Sequence, residues 1–129
     1  MFRYPYRLPG PNREPAAFVL LRVAAHDSET WHPDVPALAD TGADQTVLPT
    51  SLTTALGLVP FDFVHVSGFD GVGSDRPVYS VRLVVRDLPP IYAQVIGGWE
   101  DEYAILGRDV LNRYRAAFDG PNQRLEIGA

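Results

Sequence analysis

The tripeptide Asp40-Thr41-Gly42 occurs once in the chain and lies between two apolar segments, within the run 36–49. A carboxylate at the end of a buried strand, followed by a small hydroxyl residue and a glycine that lets the backbone turn sharply, can present a water-activating acid at the floor of a cleft. In isolation the same residues also suit an ordinary turn, with Asp40 as its polar start and Gly42 as a loop glycine. A second segment favours the first reading. About sixty-five residues further on, Tyr103-Ala104-Ile105-Leu106-Gly107-Arg108-Asp109-Val110-Leu111 supplies two large aliphatics and a glycine, and then a helical pattern.

Asp40-Thr41-Gly42 and Ile105-Leu106-Gly107, in this order and at this spacing, resemble the two motifs of the retropepsin-like aspartic proteases, the family of the retroviral proteases and their cellular and bacterial relatives. The resemblance spans residues 16–127. It implies an all-β fold with short helices, one lobe per chain and an active site at a homodimer interface. It also implies an aspartic endopeptidase in which Asp40 from each subunit activates a water, with no metal, cofactor or covalent intermediate. Thr41 would hydrogen-bond the backbone of the opposite subunit, and Gly42 would make the tight turn and present its carbonyl to the substrate. Ala43 stands where pepsin-like relatives usually carry a hydroxyl residue. Asp44 and Arg108 match positions that form a supporting ion pair, although a turn cap and a solvated helix charge are their plain alternatives. The segment 67–74 stands where the family places its flap, so Gly68, Phe69, Asp70, Gly71, Val72 and Gly73, together with Ile105, would meet an extended polypeptide substrate. The rival implication is a catalytically inactive dimeric scaffold or peptide-binding module on the same fold.

At 129 residues the chain suits one compact domain. Pepsin-like enzymes carry two Asp-Thr-Gly lobes in one chain; with one copy here, the family reading requires a homodimer, and residues 124–127 are expected at its interface. Eleven basic against sixteen acidic residues, a net charge of −5, argue against nucleic-acid or anionic-membrane partners, which need positive fields. The absence of cysteine excludes disulfides, thiol nucleophiles and thiolate metal sites. His26, His32 and His65 lack metal-ligand spacing and read as surface or strand residues. The chain shows neither a membrane-length apolar stretch nor a signal-peptide core, and a cytoplasmic location is expected.

Pro5, Pro9, Pro11 and Pro15 mark residues 1–15 as an extended, partly ordered arm ahead of a domain over 16–129. Strands are expected over 16–25, 79–85 and 91–96, and alternation at 61–65 pairs with the second of these around a glycine-rich tip. Short helices are expected over 49–58, capped by Gly57, and over 108–114. An Asp-Gly-Pro-Asn turn closes a last hairpin within 116–127. Trp31 and Trp99 read as packing residues, and the acidic run Glu100-Asp101-Glu102 as a solvated loop.

Overall fold

A computed structural model describes residues 1–67 and 71–129. Gly68, Phe69 and Asp70, expected at the flap tip, lie outside the described residues.

The apolar runs become strands. β1 (Phe2–Pro5), β2 (Phe18–Ala25), β3 (Val35–Ala39) and β4 (Val47–Pro49) precede helix α1 (Thr50–Ala55), where Gly57 at φ 61° ends the helix in the left-handed conformation open to glycine. β5 (Asp62–Ser67) and β6 (Gly73–Val85) form the long hairpin, followed by β7 (Ile91–Trp99) and β8 (Ala104–Leu106). Helix α2 (Arg108–Leu111), β9 (Arg115–Asp119) and β10 (Arg124–Gly128) complete the chain.

Seven strands form one sheet in the order β2-β3-β8-β4-β7-β6-β5, with a further pairing of β2 to β6 that bends the sheet back on itself. Leu21, Val23, Val81, Leu83, Val85 and Val95 point into the resulting core, joined by Leu48 and Leu106 from the short strands. All are essentially inaccessible to water. Burial of this apolar surface is the main driving term for the fold.

The remaining strands form a three-stranded sheet in the order β1-β10-β9. The first of these strands, Phe2–Pro5, lies within the extended arm expected over residues 1–15. Phe2, Arg3, Tyr4 and Pro5 pair in register with Ile127, Glu126, Leu125 and Arg124, and the Tyr4 ring is buried in the core. Proline is compatible with this because β1 is an edge strand, where the missing N–H of Pro5 costs no ladder bond. The same topology bears on residues 124–127. β10 lies between β1 and β9 with Leu125 and Ile127 fully buried, so it has no free backbone edge to offer a second subunit. The outer edges of this sheet belong to β1 and β9.

Candidate active site

β3 and β8 run parallel, with Ala37 opposite Ala104, Leu38 opposite Ile105 and Ala39 opposite Leu106. This register brings the two sequence motifs side by side, so that Asp40-Thr41-Gly42 and Gly107 leave the sheet at the same end. The Asp40 N–H donates to the Leu106 carbonyl at 3.0 Å, fixing the aspartate at the point where β3 stops. Its carboxylate then turns back over the loop. Asp40 Oδ1 accepts the Gly42 N–H at 2.8 Å, and a Cβ placed on Gly42 would come within 3.2 Å of the same oxygen. Glycine therefore lets this amide approach the carboxylate and fix its orientation. Asp40 is half-buried, whereas Thr41 and Gly42 are exposed, so the tripeptide forms an open surface rather than a closed pocket.

Gly107 has a different reason to be glycine. A Cβ there would lie 2.6 Å from the Gln45 carbonyl carbon and 3.0 Å from the Ala43 oxygen, so any larger residue would push the second motif away from the loop that follows the first. The approach is sealed by hydrogen bonds. The Arg108 N–H donates to the Ala43 carbonyl at 2.9 Å, and Arg108 Nη1 donates to the Thr41 carbonyl at 2.6 Å. Arg108 Nη2 meets Asp44 Oδ1 in an ion pair. Asp44 and Arg108 are largely exposed, 84% and 42% by side chain, so their pairing contributes little net stability, at most about 1 kcal/mol. Its consequence is orientation: one guanidinium ties together the loop carbonyl of Thr41 and the carboxylate of Asp44.

Thr46 and Asp109 extend this network. The Thr46 hydroxyl is fully buried, donates to Asp109 Oδ1 at 2.8 Å and accepts the Gly107 N–H at 3.1 Å. Asp109 Oδ2 accepts the Thr46 N–H at 3.1 Å. Sequence reading missed both residues, although an acidic residue in the first turn of α2 beside Gly107-Arg108 was a visible signal.

Ile105 sits between Leu38 on β3 and Val47 on β4, with 9% of its surface exposed. Of the flap residues, Gly71 takes φ 75° and Val72 is well exposed. Gly73 lies against the His65 ring, where a Cβ would collide with Nε2. His65 Nδ1 lies 3.1 Å from Asp75 Oδ1, and His26 and His32 lie elsewhere. Among the described residues no group of His, Cys, Asp and Glu is arranged to hold a metal ion, and no helix is long and apolar enough to cross a membrane. Trp31 stacks under Arg82 at 5.0 Å, and Trp99 packs edge-on to Tyr103.

The fold has counterparts among known proteins. No family model matches the chain. DNA damage-inducible protein 1 of Yarrowia lipolytica is 36% identical over 100 residues, which is 74% of this chain; the chain spans about a quarter of that relative's length. Among solved structures, a retropepsin-like aspartic protease from Rickettsia conorii superposes with a TM-score of 0.59 at 12% identity, covering 99% of this chain and 94% of that one. The retroviral protease-like domain of Ddi1 from Leishmania major gives 0.50 at 18% identity, covering 87% and 89%. The EIAV protease in complex with an inhibitor gives 0.50 at 23% identity, covering 81% and 92%.

Proposed function

By fold and active-site motif the chain belongs to the retropepsin-like aspartic protease family, and we propose that it is an aspartic endopeptidase that acts as a homodimer on extended polypeptide. The observation that carries this reading is the position of Asp40, held at the end of β3 by Leu106, with its carboxylate steered by the Gly42 amide and its loop braced by Arg108.

One half-buried carboxylate per chain supplies half of an acid–base pair. Two copies facing each other across a two-fold axis complete it, because like charges at close range cannot both ionise cheaply and the pair shares one proton. Aspartic proteases are the type case of that behaviour. The ionised carboxylate takes a proton from a water that attacks the scissile carbonyl. The protonated one hydrogen-bonds the carbonyl oxygen and stabilises the developing negative charge. Thr41, exposed at the loop, is positioned for the partner's backbone. Gly42 faces the substrate, Ala43 anchors Arg108 through its carbonyl, and the hairpin of β5 and β6, with Gly71, Val72 and Gly73, covers the peptide. Ile105 lines the cleft beside Val47.

The test compares the parent with Asp40→Asn, which fills the same volume and cannot act as a base. Sedimentation should give a dimer for both, circular dichroism should be unchanged, and turnover of an extended peptide should fall by at least about a thousandfold. Undiminished turnover in the variant, or turnover by a strict monomer, would overturn the shared-dyad mechanism; a folded dimer that binds peptide and never cleaves it would identify a scaffold.

A further inference from the structure

On the side of β4 away from β8, a cavity of about 180 Å³ opens between the flap hairpin and the sheet, lined by Val47, Val66, Arg76, Ile96, Gly97 and Trp99. Its position ties it to the site, since Val47 is the cross-strand partner of both Ile105 and Ile96. Every lining residue but one is apolar or glycine. The exception is Arg76, opposite Val64 on β6 and on the same hairpin face as Val66 and Ser74.

Arg76 is held in place by two contacts. Nε donates to Ser74 Oγ at 3.0 Å and Nη1 donates to the Gly98 carbonyl. Gly98 adopts φ 77°, and a Cβ there would stand 3.0 Å from Nη1, so a glycine keeps the guanidinium's seat clear. Both acceptors are neutral. No carboxylate among the described residues pairs with this half-buried cation, in contrast to Arg3, Arg22, Arg82, Arg108 and Arg124, each of which lies within ion-pair distance of one. A guanidinium offers five donors in a planar fork, and the two acceptors leave part of that fork open. Trp99, in the same cavity wall, adds a buried indole N–H without an acceptor among the described residues. Apolar walls strengthen the attraction of a fixed cation for an entering anion.

We propose that Arg76 sets specificity in this cleft by receiving an acidic side chain, glutamate or aspartate, of the bound polypeptide. The proposal rests on the reading of the cleft as a peptide-binding site. Ser74 and Gly98 fix the plane of the guanidinium, and the carboxylate binds its free edge while the apolar walls enclose the aliphatic stem of the side chain.

Binding is measured on the Asp40→Asn protein, which removes cleavage from the readout, using an extended peptide in which each position in turn carries Glu or its neutral isostere Gln. At one position Glu should bind about tenfold or more tightly than Gln, and the difference should shrink as salt is raised. Adding Arg76→Gln should abolish that discrimination while leaving affinity for the Gln peptides within about twofold; Arg76→Lys should restore part of it. A general loss of affinity for both series in Arg76→Gln would assign Arg76 a structural role and overturn the proposal. So would peptides that bind with no Glu preference at any position in the parent protein, a result that leaves the peptide-binding reading standing and does not depend on the variants folding. Failure of every peptide to bind would reject the cleft itself and the proposal with it.

Discussion

Thr46 and Asp109, separated by 63 positions, are joined at two points: hydroxyl to Oδ1 at 2.8 Å and backbone N–H to Oδ2 at 3.1 Å. Because the same hydroxyl accepts the Gly107 N–H, this pair couples the loop after the first motif to the start of α2. Thr46→Val keeps the shape, removes the hydroxyl and strands a buried Gly107 donor. A loss of about 2–3 kcal/mol is expected in denaturant unfolding. A cost below about 0.5 kcal/mol would mean that packing, and not this contact, joins the two motifs.

The position of that pair shows what the sequence could and could not disclose. Strands with period-two alternation, such as β6 and β10, were readable because each side chain's face follows from its own position. Gly57 and the turn of the last hairpin were readable for a similar reason, since both answer to local backbone geometry. Gly107 was legible only through its motif, its close approach to Gln45 and Ala43 being non-local. β4 and β8 have three residues each and were not distinguished from their surroundings, since so short a strand exists only through its neighbours in the sheet. Thr46 and Arg76 look ordinary in sequence. Their importance comes from partners or gaps supplied by distant segments, which no local pattern records.

The amino-terminal strand contributes to stability. Tyr4 is 8% exposed and packs in the core, so Tyr4→Ala is expected to cost about 3 kcal/mol or more through lost burial and the cavity left behind. Removing residues 1–7 should lower the unfolding midpoint further, since the four-residue ladder to β10 is lost as well. A truncated protein with unchanged stability would show that the three-stranded sheet is dispensable.

At the last hairpin turn, Asp119 Oδ2 accepts the Asn122 side-chain amide at 2.9 Å and Oδ1 accepts the Asn122 N–H at 3.2 Å. These hydrogen bonds hold the carboxyl below its ordinary value of 3.8, and Arg124 adds to the effect. A carboxylate whose folded pKa is depressed stabilises the fold fully at pH values above the unfolded value. That contribution is lost as pH falls from there through the folded value. The stability advantage of the parent over Asp119→Asn should therefore be flat at neutral pH and shrink below about 3.8. An advantage that grew on acidification would reverse the sign of the argument.

Ala43 bears on the pH range of the proposed chemistry. The structure occupies its backbone on both sides, the N–H donating to the Asp40 carbonyl at 3.2 Å and the carbonyl accepting from Arg108, and its methyl group offers no hydrogen bond to an ionised dyad. Pepsin-like relatives usually carry a hydroxyl residue here. A donor lost from the charged form makes ionisation less favourable, so the paired carboxylates should titrate higher than in those relatives and the pH optimum should be mildly acidic. Ala43→Ser restores a donor. Activity falls where both carboxylates ionise, so the alkaline limb of the pH–rate profile should move to lower pH in the serine variant. If that limb stayed in place or moved upward while the dimer remained intact, the missing hydroxyl would not be what sets the working pH.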